Sequence, residues 1–170
     1  VLEAYDKPIG VVSGALGQQW YDIVVTGMDA HAGPTPMNLR HDAMLAAARM
    51  MDAVNRMALD EAPHGRGTVG HVQVLPNSRN VIPGQVKFTV DFRNLSQEGL
   101  DRMDLAMRKE FPQLAAQCQC SVEIAQVVKF EPCVFHPDCV DSVRQAADAL
   151  GYPHMEVVSG AGHDAVYVNQ

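Results

Sequence analysis

The sequence has 170 residues, 47% of them hydrophobic and 19% charged, with a formal net charge of −7. That length suffices for one well-buried domain, or for a small domain with part of another, and the composition excludes a disordered chain. The acidic balance excludes nucleic acid and anionic membrane as main partners, and no apolar run approaches the roughly 18 residues of a membrane span.

There is no initiating Met and no basic-then-apolar leader. The chain opens on VLEAYDKPIG and stops on DAVYVNQ, within what reads as a helix, so it is expected to be a segment of a longer polypeptide. Cys118, Cys120, Cys133 and Cys139 form no C-x-x-C pair and read as free thiols of a reducing, cytoplasmic compartment.

In chain order, QQWYDIVVTG (18–27) predicts a strand, being β-branched and aromatic and ending on glycine. Between Leu39 and Leu59 the apolar positions Met44, Ala47, Met51, Val54 and Ala58 recur at helical spacing. Arg49, Asp52 and Arg56 take another face, with Asp52 four residues before Arg56. APHGRG breaks that helix, and TVGHVQVL (68–75) reads as a second strand. QVKFTVDFR (85–93) alternates Val86, Phe88, Val90 and Phe92 with Lys87, Thr89, Asp91 and Arg93, which predicts a strand with one apolar and one polar face. Ser96 caps a second helix with the stripe Leu100, Met103, Met107 and Phe111, and Pro112 is expected to kink or end it. SVEIAQVV (121–128) is a fourth strand.

Strand, helix, strand, strand, helix, strand then packs most economically as a four-stranded antiparallel sheet with both helices on one face. The predicted class is α+β, in the ferredoxin-like βαββαβ arrangement. Beyond Phe130 the pattern changes. HPDCVDSVRQAADALGYP reads as a third helix with Val140, Val143, Ala147 and Leu150 inward. MEVVSG follows as a short strand and AGHD as a turn into another helix, so this tail looks like part of a neighbouring domain.

Candidate chemistry gathers at a few positions. His31 lies between Ala30 and Ala32–Gly33, which leave space beside the ring, while Pro34 and Pro36 stiffen the backbone. A rigid support with a cleared approach suits a hydrogen-bond donor to a developing charge. Arg93, on the polar side of its strand, is placed to grip a carboxylate with its planar fork, or else to pair with Asp91. Asn80 sits in a loop pinned by Pro76 and Pro83–Gly84. SGAGHD (159–164) offers backbone N–H groups and His163 at a strand-to-helix turn, with helix capping by Asp164 as the alternative. No serine stands in a G-x-S-x-G elbow, and the seven histidines include no H-x-H or H-E-x-x-H, so neither a nucleophilic triad nor a complete metal site is found.

VLEAYDKPIGVVSGALG, WYDIVVTGMDAHAGPTPM with LRHDA, PNSRNVIPG, FTVDFR and SGAGHDA together resemble a known family. It is that of the metal-dependent amidohydrolases acting on carbamoyl or ureido groups: N-carbamoyl-L-amino acid hydrolases, β-ureidopropionases and allantoate amidohydrolases, relatives of aminoacylases and carboxypeptidase G. The matching stretches lie in family order nearly end to end.

The resemblance implies a lid and dimerisation domain over residues 18–128, inserted into an α/β catalytic domain represented by residues 1–17 and 129–170. It implies two divalent metal ions (zinc, manganese or cobalt) in the intact enzyme, a homodimer, and a small N-carbamoyl substrate. His31 is then the catalytic donor that reaches the partner subunit's active site. Asn80 and Arg93 hold the substrate carboxylate, and Gly162 with His163 lines the substrate site. No metal ligand can be carried over to any residue here, so the chain alone is expected to be inactive. Rival readings are an aminoacylase or peptidase sibling, an allantoate amidohydrolase, and a non-catalytic dimerisation module. An RNA-recognition domain of the same topology is disfavoured by the negative charge.

Overall fold

A computed structural model describes residues 1–162 and 164–169. Two sheets of three or more strands organise the chain, beside a two-stranded one, and the largest forms on the segments with the strictest alternation. Strands β1 (Ile9–Ala15) and β2 (Gly17–Thr26) are followed by the short β3 (Ala30–His31) and helix α1 (Ala43–Asp60). Next come β4 (Arg66–Thr68), β5 (Val72–Leu75), β6 (Val81–Ile82), β7 (Gln85–Asn94), α2 (Gln97–Gln117) and β8 (Ser121–Phe130). The tail contributes β9 (Cys133–Val134), α3 (Pro137–Ala149), β10 (His154–Ser159) and α4 (Ala165–Val168).

The main sheet is antiparallel with the order β4–β7–β2–β8, and β5 also pairs with β7. Tyr21, Ile23 and Val25 of β2 and Val86, Phe88, Val90 and Phe92 of β7 point to one face. There they join the apolar sides of α1 and α2 in a single core. Gln19 and Asn94 share that buried face, and the alternate residues of β2 and β7 face away, as the period of two requires.

Several details differ from the sequence expectations. TVGHVQVL is not one strand: Thr68 pairs with Asp91 and Val72 with Phe88, so three residues, Val69 to His71, oppose only Thr89 and Val90. The extra residue, at a stretch containing Gly70, interrupts the ladder as a bulge does. Helix α1 begins at Ala43 because Asp42 caps it by accepting from the Leu45 amide (3.0 Å). Its buried face is Ala43, Ala46, Ala47, Met50, Ala53, Val54, Met57 and Ala58, which keeps Ala47, Val54 and Ala58 of the predicted stripe but not its two methionines. Small alanines approach the sheet, while Met44 stays exposed and Met51 half-buried. Arg56 pairs across the helices with Glu110 (2.6 Å), while Asp52 acts on it only through charge. Helix α2 runs through Pro112 to Gln117, held by Phe111 and Ala115, both buried on either side of the proline. The stripe Leu100, Met103, Met107 and Phe111 is buried as expected.

The smaller sheet has the order β10–β1–β9, with β1 parallel to β10 and antiparallel to β9. Strand β1 was not expected from the sequence. Helix α3 covers this sheet with Val140 and Ala147, whereas Val143 and Leu150 are exposed rather than inward. Gly17 marks the passage between the sheets, where a β-carbon would meet the Pro132 ring and Leu100. The main chain must pass closely there, and only glycine permits it.

Candidate functional site

His31 stands at the far end of the β2–β7 ribbon. Beyond Thr26 and Gln85 the two chains stay together, with Gly27 N–H donating to the Gly84 carbonyl (2.7 Å) and β3 pairing with β6 as Ala30↔Ile82 and His31↔Val81. Asp29 Oδ1 accepts from Gly84 N–H (2.6 Å) in space a side chain at 84 would fill. The Ala32 amide donates to the Asn80 carbonyl (2.8 Å). Of the candidate residues, Asn80 is thereby placed beside His31 and not, within one chain, beside Arg93, with which the resemblance grouped it.

The His31 ring is exposed, and its Nδ1 accepts from the Gly33 amide (3.1 Å). An accepting Nδ1 places the proton of the neutral ring on Nε2, which therefore presents a donor outward. Thr35 Oγ1 donates to the His31 carbonyl (2.7 Å). Asn80 Oδ1 accepts from Ser78 Oγ (3.0 Å), leaving its amide nitrogen with no protein partner among the described residues.

Arg93 occupies the opposite end of β7. From Gln85 to Arg93 the strand covers roughly 26 Å at about 3.3 Å per residue. Its Nε donates to both Asp91 oxygens (3.1 and 3.2 Å) and its Nη2 to Oδ2 (2.6 Å). These bonds, first among the causes, hold its pKa above the ordinary value. Nη1 donates to the Gly160 carbonyl (2.5 Å), tying β7 to the SGAG turn. Gln18, which faces Arg93 across the ladder, lines a cavity of about 880 Å³ together with Leu16, Phe130, Pro132, Cys133 and Gly162. Arg93 and Gly162 thus flank one region. His163 lies outside the described residues. Asp164 makes no side-chain cap bond to α4.

One chain therefore carries two groups of candidate residues, at opposite ends of β7. His31 with Asn80 offers neutral donors; Arg93 with the Gly160–Gly162 turn offers a cationic fork beside a cavity. Among the described residues no group of three or more His, Cys, Asp or Glu is arranged to hold a metal ion, and no helix is long and apolar enough to cross a membrane. Sequence inspection passed over Arg40, whose guanidinium binds the loop that carries His31. A signal was present in Pro34 and Pro36, which remove two backbone donors from that loop and leave its carbonyls in need of an outside partner.

Residues 13–118 match the model of a family described as the peptidase dimerisation domain. An N-carbamoyl-L-amino-acid amidohydrolase of Rhizobium meliloti is 44% identical over 167 residues, covering 98% of this chain and 40% of that protein. An allantoate amidohydrolase of Bacillus subtilis is 31% identical, covering 99% of this chain and 41% of that protein. The crystal structure of a hydantoinase/carbamoylase family amidase from Burkholderia multivorans superposes with a TM-score of 0.97 at 53% identity, over 99% of this chain and 41% of that one. The chain thus spans about two-fifths of the length of these relatives. The match over residues 13–118, more than half of its length, shows that the chain belongs to the peptidase dimerisation-domain family.

Proposed function

We propose that the chain is the lid and adjoining part of a cytoplasmic, metal-dependent amidohydrolase that removes the carbamoyl (ureido) group from N-carbamoyl amino acids as a homodimer. Residues 18–128 form the lid, of the ferredoxin-like type, and residues 1–17 and 129–170 belong to the catalytic domain. The strand order β8–β2–β7–β4/β5 with both helices in one core supports the first assignment. The separate sheet β10–β1–β9, with exposed Val134, Val143 and Leu150 on its surroundings, supports the second. Two divalent metal ions, zinc, manganese or cobalt, would act in the intact enzyme as Lewis acids that activate water.

The observation that carries the proposal is the separation of the two groups of candidate residues. A small N-carbamoyl amino acid cannot reach from His31 to Arg93 of the same protomer, so a complete site takes His31 and Asn80 from one subunit and Arg93 and Gly162 from the other. His31 Nε2–H then donates to the oxyanion that develops as the carbamoyl carbon becomes tetrahedral. The Arg93 fork, turned by Asp91, binds the substrate carboxylate, and the Asn80 amide nitrogen adds a neutral donor. His163 completes the lining of the substrate site in this proposal.

Kinetics of the full-length enzyme test these roles. His31→Ala should lower kcat by about 100- to 1,000-fold, the usual effect of removing one oxyanion donor. Arg93→Ala should chiefly raise KM, by about 10- to 100-fold, for the loss of a charge-assisted contact of roughly 1.5–3 kcal/mol. Reversed effects would show the roles exchanged. The isolated 170-residue chain should show no turnover with added zinc, manganese or cobalt. The Bacillus subtilis relative favours a second reading, hydrolysis of allantoate. Turnover of N-carbamoyl α-amino acids, N-carbamoyl-β-alanine, N-acyl amino acids and allantoate, compared side by side, separates these readings.

A further inference from the structure

We propose that Arg40 is a positioning residue for His31: its guanidinium spans the loop between Ala32 and Thr35 and fixes the imidazole in the attitude that presents Nε2–H. The inference rests on the proposed role of His31 as an oxyanion donor and extends it to a residue that touches neither substrate nor ring.

The His31 loop is short of its own donors. Pro34 and Pro36 have no N–H, and the Gly33 amide is spent on the His31 Nδ1. The carbonyls of Ala32 and Thr35 must therefore find donors elsewhere. Arg40 supplies both: Nη2 donates to the Ala32 carbonyl (2.7 Å) and Nε to the Thr35 carbonyl (3.2 Å). A planar fork with donors at fixed spacing can bridge two carbonyls, whereas a lysine ammonium is a point donor on a flexible stem.

The loop atoms so held are those that orient the ring. Ala32 lies between His31 and the Gly33 amide, and Thr35 closes on the His31 carbonyl (2.7 Å). A shift of either would move the Gly33 N–H away from Nδ1 and release both ring rotation and tautomer. The anchor is itself fixed. Arg40 is half-buried, and its own carbonyl accepts from Gln119 Nε2 (3.2 Å), which also donates to Asn38 (3.2 Å). Gln119 sits in the turn between α2 and β8, so the loop is referred through Arg40 to the body of the lid.

A double-mutant cycle in the full-length enzyme tests this. Arg40→Ala should lower kcat on the order of 10- to 100-fold, the scale of a small misplacement of a reacting group, with KM nearly unchanged. Arg40→Lys should recover only part of the loss, and methylguanidinium added to Arg40→Ala should restore activity in a saturable manner. In a His31→Ala background, Arg40→Ala should have no further effect on kcat, because its action passes through that ring. Arg56→Ala is the control, since the Arg56 guanidinium likewise binds two acceptor oxygens, those of Glu110, and does so between the helices α1 and α2. Wild-type kcat in Arg40→Ala overturns the inference. So does a loss that persists undiminished in the His31→Ala background, or one matched by Arg56→Ala. If His31→Ala alone leaves kcat unchanged, it is the role of His31 that fails.

Discussion

The four thiols occupy different surroundings, and their chemistry should follow. Cys118 is buried under α1 and α2, and Cys139 is exposed on α3. The Cys120 thiol is pushed up to about 11, first by burial and then by Cys118 and Asp42 nearby. Because the thiolate is the nucleophile, iodoacetamide at mildly alkaline pH should modify Cys139 first. Cys118 and Cys120 should react appreciably only after denaturant is added, as a peptide-mapping time course will report. Equal labelling of all four would mean that the α2–β8 turn opens in solution. At this scale the sequence was legible where a residue's meaning is local. Alanines and glycine clear space for His31, and Asp91 lies two residues before Arg93 on the same side of a strand. Arg40 was not legible, because its partners matter only once the proline-rich loop has closed on itself.

Tyr21 joins three elements of the main sheet and helix layer. Its hydroxyl lies 2.5 Å from Gln19 Oε1 and 2.8 Å from Asp104 Oδ1 of α2, Gln126 Nε2 of β8 donates to it at 3.4 Å, and Arg108 sits over its ring. Burial, followed by the Asp104 hydrogen bond, pushes its pKa well above the ordinary tyrosine value. A raised pKa gives stability that is fully present below the unfolded value of about 10 and is lost as pH rises beyond it. Tyr21→Phe should therefore flatten the fall in urea midpoint above about pH 10. At neutral pH it should cost about 1–3 kcal/mol, because buried Gln19 loses a partner. Equal alkaline slopes in the two proteins would exclude Tyr21 as the source. Elements with strict periodicity, β7 and α2, could be read directly, since one face of each is apolar at every expected position. The face of α1 was displaced because methionine outweighs alanine in a pattern, although alanine is what lets a helix approach a sheet. The break between β4 and β5 was hidden because alternation continues through the bulge. Strand β1 was missed because its ladder forms with β10, far along the chain.

At the scale of the whole molecule, the roughly 26 Å of β7 between Gln85 and Arg93 separates the two groups of residues proposed to act on one small substrate. This decides what a mixture of two defective enzymes should do. Consider full-length His31→Ala and Arg93→Ala dimers, denatured or dissociated together and allowed to reassemble. In a heterodimer built as proposed, one site receives both defects, and the other receives the intact His31 of one subunit and the intact Arg93 of its partner. With random reassociation of a symmetric dimer, half of the dimers are mixed and half of their sites are whole, so activity should return to about one-quarter of wild type. Were both residues drawn from the same protomer, every site in the mixture would keep one defect and no activity would return. Activity assayed at substrate well below the wild-type KM, where both variants are defective, should peak near equal amounts and fall to each variant's own low level at either extreme. A flat response, with heterodimers verified by native mass spectrometry, would rule out a site shared between subunits while leaving the family assignment of the chain untouched.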